Sequence, residues 1–215
     1  MANIIFDYDG TLHDTMVIYG LAFRKAYKYL VDCELVEEKH FEDDDIKKWL
    51  GYTSVDMWNN FLPNIDDSYK DKASKMIGEE MLELTSSGRA NIYDGSIDTL
   101  KVLKNRGHKL IFLSNCKIKY MNTHRKTFGL DDVFDDFYCA EEYPNTPKYE
   151  IFNHIKKKYT GNFIIIGDRF HDMEIAEKHN LKSIACTYGY GTYDEIKNAN
   201  YKIDSIYDIL NIDIF

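Results

Sequence analysis

Four short stretches of unbroken apolar residues constrain this chain most. They are Ile4-Ile5-Phe6, Leu110-Ile111-Phe112-Leu113, Phe163-Ile164-Ile165-Ile166 and, more weakly, Ile184-Ala185-Cys186. A strand with one wet face alternates apolar and polar residues. A continuous apolar run instead predicts a strand covered on both faces, as in a parallel sheet. Amphipathic stretches lie between these runs. Ser96 is a candidate N-cap, Ile97, Leu100 and Leu103 form a stripe behind it, and Gly107 is a stop signal. Ile151, Phe152 and Ile155 mark a second helix. Strand and helix in alternation predict an α/β fold with a doubly wound parallel sheet.

The segment from Thr15 to Ser87 differs in character. Ile18, Tyr19, Ala22, Phe23, Ala26, Tyr27 and Leu30 recur at helical spacing, as do Ala73, Met76, Ile77, Met81 and Leu84, with no strand signal between them. Asp43-Asp44-Asp45 and Asp66-Asp67-Ser68 suit helix starts, where carboxylates and hydroxyls meet free N–H groups. Ser86-Ser87-Gly88 reads as a return linker. The expectation is a helical insert at residues 15–87 in a core made of residues 1–14 and 88–215.

The chemistry sits where the apolar runs end. In an open α/β sheet, ligands bind at the carboxyl ends of the strands. Asp7-Tyr8-Asp9-Gly10-Thr11-Leu12-His13-Asp14 follows the first run directly. Alternate positions place Asp7 and Asp9 on one side, and Gly10 permits a sharp turn. Gly167-Asp168-Arg169-Phe170-His171-Asp172 follows the third run, with Asp172 about one helical turn beyond Asp168. So many carboxylates at one edge repel each other. A hard dication relieves the repulsion, and oxygen-only ligands suit Mg²⁺. An EF-hand does not fit, because Leu12 and Ile18 stand where Gly and Glu are required. Ser114-Asn115 ends the second run with a hydroxyl and an amide, and Lys148 precedes a helix. Ser114 is also compatible with a helix N-cap, Asp172 with an ordinary helix-start carboxylate and Lys148 with solvated surface.

Net charge bears on what this edge can meet. The 215 residues carry a formal charge of −9, which argues against nucleic acid or an anionic membrane as partner. A bound metal can still reverse the local field for a small anionic substrate. No apolar run approaches the ~18 residues of a membrane span, and residues 1–6 lack a signal peptide's basic region. Cys33, Cys116, Cys139 and Cys186 form no CxxC pair and are expected as reduced thiols of a cytoplasmic protein. Cys116, beside Ser114, has no histidine near it in sequence to activate it as a nucleophile.

The order Asp-x-Asp-Gly-Thr-Leu-x-Asp, strand-Ser-Asn, Lys, then Gly-Asp-x-x-x-Asp resembles the haloacid dehalogenase-like hydrolase superfamily. Within it, the chain resembles the phosphoglycolate phosphatase and β-phosphoglucomutase branch, which has a Rossmann-like core and a helical cap inserted after the first strand. The resemblance spans essentially the whole chain and implies a Mg²⁺-dependent phosphatase acting on a small phosphorylated metabolite. By it, Asp7 is the nucleophile that becomes an aspartyl phosphate, and Asp9 is the acid/base. Mg²⁺ falls to Asp7, the Asp9 carbonyl, Asp168 and Asp172. Ser114 bonds a phosphoryl oxygen and Lys148 balances charge. Gly10 and Thr11 offer N–H groups, Asn115 joins them on the substrate, and Asp14 supports the loop.

Asp9 and Asp168 speak against a dehalogenase, which uses no metal, and nothing matches a phosphonatase lysine. A phosphomutase shares all four motifs, although Thr11 after Gly10 fits the phosphatase pattern better. A response-regulator-type switch uses a similar acidic cluster but lacks a cap. A non-catalytic binding protein on this scaffold lacks the nucleophile or the acid/base, and both stand here. The chain departs from the family at Asn145-Thr146-Pro147-Lys148-Tyr149-Glu150, where relatives often have Lys-Pro-x-Pro-Asp/Glu. Lys117 is therefore an alternative to Lys148. Arg169 stands where many relatives have a small residue, and either a substrate contact or an ion pair suits it. Lys47, Lys48, Trp49, Leu50, Gly51 and Tyr52 resemble the cap segment that faces the active site, and a solvated helix end with a buried Trp49 suits them equally.

Overall fold

The computed structural model describes residues 1–213. Its centre is one sheet of six parallel strands: β1 (Asn3–Phe6), β2 (Lys109–Ser114), β3 (Asp136–Cys139), β4 (Phe163–Gly167), β5 (Lys182–Cys186) and β6 (Tyr201–Ile203), in the order β3-β2-β1-β4-β5-β6. β1 pairs with β2 from Asn3 opposite Lys109 to Phe6 opposite Phe112, and with β4 from Asn3 opposite Phe163 to Phe6 opposite Ile166. The chain steps outward from β1 on one side through β2 and β3, then returns to β4 on the other side. The switch therefore lies between β1 and β4, where a crevice opens beyond the strand ends.

Alternate residues of the apolar runs feed two cores. Ile4, Phe6, Leu110, Phe112, Ile164 and Ile166 face one, with Leu100 and Leu103 of α5 (Ser96–Asn105) and Ile206 and Ile209 of the C-terminal 3₁₀ turns. Ile5, Ile111, Leu113 and Ile165 face the other. There they meet Ile151, Phe152 and Ile155 of α7 (Lys148–Lys158) and Ile175 and Ala176 of α8 (Phe170–His179). Both faces are covered, which is why these strands read as unbroken apolar runs. β3 and β6 escape that reading for the converse reason. They are the two outer strands, with half-buried Asp136 and Phe137 and exposed Tyr201 and Lys202.

Between β1 and β2 come α1 (Met16–Asp32), α2 (Asp43–Lys47), α3 (Ser54–Phe61) and α4 (Asp67–Ser86), followed by α5. α1 packs on α4 through the stripes read from the sequence, with Ile18, Ala22, Phe23, Ala26 and Leu30 against Ala73, Ile77, Met81 and Leu84. Asp66 caps α4 by accepting from Ser68 N at 2.9 Å. At α5 the expected cap is displaced by one residue. Gly95 holds the N-cap position with φ +82°, and Ser96 opens the helix. Tyr207 packs against Gly95 where any Cβ would stand, so only glycine fits. The remaining helices are α6 (Ile118–Phe128) and the short α9 (Tyr193–Ile196). Among the described residues no helix is long and apolar enough to cross a membrane.

Candidate active site

Adjacent strand ends bring the first two carboxylates together. Asp7 follows β1 and its N–H still bonds the Ile166 carbonyl of β4 at 2.8 Å. Asp168 follows β4 and Asp172 lies in the first turn of α8. One oxygen of each carboxylate lies within 4.8 Å of the others, and all three residues are buried. Lys148, the first residue of α7, enters from the side. Its Nζ is 2.7 Å from Asp7 Oδ1 and 2.8 Å from Asp172 Oδ1. Lys117, the alternative, is an exposed residue preceding α6. Pro147 sets the extended geometry that lets α7 begin at Lys148 and aim its side chain inward.

The electrostatics of this group are unbalanced, because three buried carboxylates face one buried ammonium. Burial, then repulsion from Asp172, raises the Asp7 carboxyl well above its ordinary range despite the pull of Lys148. Burial and Asp172 likewise push Asp168 up to about 7. Burial works against the Lys148 charge, but Asp172 and Asp7 outweigh it and raise its pKa, so it stays protonated. Oxygen donors in excess of their counter-charge, held in a small volume, fit a hard divalent cation such as Mg²⁺.

Asp168 is held in a close-fitting cradle. Its Oδ1 accepts from Thr11 Oγ1 at 3.2 Å and its Oδ2 from the Tyr190 N–H at 2.7 Å. A Cβ on Gly10, Gly189 or Gly191 would overlap Asp168. The loop after β5 was not singled out in the sequence. Its signal is Gly189 and Gly191 flanking Tyr190 directly beyond an apolar run. Tyr190 also ties the loop to the first motif, because its hydroxyl donates to Asp14 Oδ1 at 3.1 Å and accepts the Met16 N–H at 3.0 Å.

Asp9 stands outside the group of three carboxylates. Its Oδ1 accepts from Thr15 Oγ1 and from Tyr120 OH, each at 2.7 Å, and lies 3.2 Å from His13 Nδ1. Burial works to raise the Asp9 carboxyl, but bonds from His13, Thr15 and Tyr120 outweigh it and hold it below its ordinary value. No bond to the other oxygen, Oδ2, is found among the described residues. Behind this network, Tyr8 OH lies 2.8 Å from His124 Nδ1, and Thr85 Oγ1 lies 3.1 Å from His124 Nε2. Burial and the neighbouring His13 push His124 down to about 3, so it stays neutral. Tyr120 and His124, on α6, carry no sequence signal linking them to Asp9.

The remaining residues are placed as follows. Gly10 has φ +84°, but its N–H bonds His13 O at 2.9 Å, and the Thr11 N–H bonds Tyr8 O at 3.3 Å. Both N–H groups, expected from the resemblance to face a phosphate, are bonded within the turn here: Gly10 to the His13 carbonyl, and Thr11, with residues 12 and 13, to the Tyr8 carbonyl. Ser114 is buried at the end of β2. Asn115 Nδ2 donates to the Gly51 carbonyl at 3.0 Å. Arg169 forms an ion pair: Nε is 2.9 Å from Glu195 Oε2 and Nη2 is 3.1 Å from Oε1. All four cysteines are free, and burial pushes the Cys116 thiol well up, away from a reactive thiolate.

Comparison with known proteins gives the family. A family model described as haloacid dehalogenase-like hydrolase matches residues 4–186. A 5′-nucleotidase of Pseudomonas aeruginosa is 24% identical over 205 residues, covering 91% of this chain and 86% of that protein. A phosphoglycolate phosphatase of Psychrobacter arcticus is 23% identical over 217 residues, covering 92% and 88%. The crystal structure of a predicted phosphoglycolate phosphatase from Haemophilus somnus superposes with a TM-score of 0.83 at 19% identity, covering 98% of this chain and 97% of that one. The parallel sheet, the acidic crevice at its switch point and the family match over most of the chain lead to one assignment: the chain belongs to the haloacid dehalogenase-like hydrolases, in the phosphoglycolate phosphatase-like branch, and is an enzyme of the phosphatase class.

Proposed function

We propose that the protein is a Mg²⁺-dependent phosphatase that hydrolyses a small phosphorylated metabolite through an aspartyl phosphate on Asp7. The observation that carries this reading is the buried Lys148 bridging Asp7 and Asp172, with Asp168 beside them, at the carboxyl edge of the parallel sheet. Asp7, Asp168 and Asp172, with the Asp9 carbonyl, would hold the cation. When bound, it neutralises phosphoryl charge and aligns the group for in-line attack.

The residues of the chain do the rest. Lys148 favours the ionised form of Asp7 against the burial and Asp172 repulsion that oppose it, and it offsets the charge of an arriving phosphate. An Asp7 oxygen attacks phosphorus, the bond to the leaving oxygen breaks, and Asp9, which takes up a proton as the anionic ester arrives beside it, gives that proton to the leaving oxygen. Asp9 then takes a proton from the water that attacks the aspartyl phosphate, releasing phosphate and restoring Asp7. With Oδ1 occupied by Thr15 and Tyr120, the proton passes through Asp9 Oδ2. Ser114 and Asn115 complete the phosphate-facing edge of β2. Residues 15–87 act as a cap that closes over the site, excludes water and selects the leaving group. Relatives named 5′-nucleotidase, phosphoglycolate phosphatase and glyceraldehyde 3-phosphate phosphatase support a nucleotide, phosphoglycolate or sugar phosphate as substrate.

The test is phosphate release from a panel of such esters, with Mg²⁺ or chelator, by the wild type and Asp7→Asn. Release that needs both Mg²⁺ and Asp7 is expected. Equal rates for variant and wild type would sink the mechanism, and chelator-insensitive turnover would remove the metal. Sugar-phosphate isomerisation without phosphate release would reassign the enzyme as a mutase.

A further inference from the structure

Arg169 does two things at once. Its N–H bonds Asp172 Oδ2 at 3.1 Å, so its backbone belongs to the acidic crevice. Its side chain leaves the crevice and crosses to the turn between α2 and α3. There Nη1 donates to the Leu50 carbonyl and, at 3.4 Å, to the Lys48 carbonyl. Glu195, at the start of α9, holds Nε and Nη2 in a two-point ion pair, and this fixes the plane of the guanidinium so that Nη1 faces the turn. A second core residue reaches the same turn, because Asn115 Nδ2 donates to the Gly51 carbonyl. Gly51 has φ +88°, and a Cβ there would meet Arg169 Cγ at 2.9 Å. The turn thus lies directly on the arginine stem, and Tyr52 continues the contact with its ring 5.2 Å from the guanidinium.

From this geometry we infer that Arg169 is a positioning residue that docks the turn at residues 48–51 over the crevice, with Glu195 as its orienter and Asn115 as the second anchor. All the acceptors on the turn are backbone carbonyls. Docking therefore reads the shape of the turn and not its side chains, and it can be broken and remade as the insert moves. One arginine joins the loop that carries Asp168 and Asp172 to the lid that covers them. The kinetic side of this assignment rests on the phosphatase reading, whereas the docking itself does not.

The test is backbone hydrogen exchange. The N–H groups of Trp49 and Leu50 bond the Ile46 and Lys47 carbonyls at the end of α2, that of Tyr52 bonds the Trp49 carbonyl, and those of β4 report on the core. Arg169→Ala is expected to speed exchange at residues 49–52 by roughly tenfold or more, the range of a lost charged hydrogen bond, with β4 unchanged. Kinetically, kcat/KM for the best ester should fall by a similar factor, chiefly through KM. If Arg169→Ala exposes β4 as well, Arg169→Lys decides. It keeps the charge Glu195 needs but lacks a fork that can hold Glu195 and the turn together, so faster exchange at residues 49–52 is again expected. Unchanged exchange there in a folded Arg169 variant overturns the docking role, whatever the kinetics. A wild type that releases no phosphate yet shows this exchange pattern would overturn the phosphatase reading and leave the docking intact.

Discussion

Replacing Asp168 with Asn should make the metal-free protein more stable at pH 8 while removing its activity. Asp168 sits fully buried beside Asp7 and Asp172, and burial with the charge of Asp172 pushes it up to about 7. Against an unfolded value of about 3.9, and at about 1.4 kcal/mol per tenfold change in proton affinity, ionising it in the folded state costs about 4 kcal/mol. The sign follows from linkage. A group with a raised folded value contributes its full stability below about pH 4 and loses it as the pH climbs to about 7. Asn carries no such penalty. It replaces one of the two oxygens that accept from Thr11 and Tyr190 with a donor, which costs about 1–3 kcal/mol at any pH. The expected net gain in chelator is thus about 1–3 kcal/mol at pH 8; at pH 5 only about 1.5 kcal/mol of the penalty remains to be relieved, so the gain shrinks by about 2.5 kcal/mol, to between a gain of about 0.5 and a loss of about 1.5 kcal/mol. Urea unfolding followed by circular dichroism at both pH values measures it, and added Mg²⁺ should stabilise only the wild type. A stability difference that does not change between pH 5 and pH 8 would refute the reasoning, because it would mean that Asp168 is not held against its charge.

Three further substitutions probe the neighbours of this carboxylate. Lys148→Gln strands Asp7 and Asp172 without their buried counter-charge. It should destabilise the protein by about 3–5 kcal/mol at pH 8 and less at pH 5.5, because Asp7, raised above its ordinary range, takes up a proton more readily as the pH falls; thermal unfolding at the two pH values checks this. Tyr120→Phe removes one of the donors that hold Asp9 below its ordinary value. The Asp9 pKa should rise, and the acid limb of the kcat–pH profile should move to higher pH; an unshifted limb would show that Tyr120 does not tune Asp9. Gly191→Ala drives a methyl group into the Asp168 carbonyl oxygen, for an expected loss of about 1–3 kcal/mol in urea unfolding and weaker Mg²⁺ binding by calorimetry.

Much of the molecule was legible in the amino-acid order because some signals are local. Unbroken apolar runs identify β1, β2, β4 and β5, since a strand buried on both faces has no polar positions to spare. An acidic residue directly after such a run is carried to the sheet edge whatever the rest of the fold does, so Asp7 and Asp168 could be placed there in advance. The outer strands β3 and β6 lack that signature because their exposed and half-buried positions tolerate polar residues. What only the tertiary structure decided is which distant side chains meet. Lys148 reaches Asp7 across 141 positions and Tyr120 reaches Asp9 across 111. Arg169 chooses Glu195 and the turn at residues 48–51. These pairings depend on strand order and on where the loop after β5 and the turn between α2 and α3 meet Arg169. A side chain's reach is a few ångströms, so no spacing along the chain encodes its partner until the topology has set the two ends side by side.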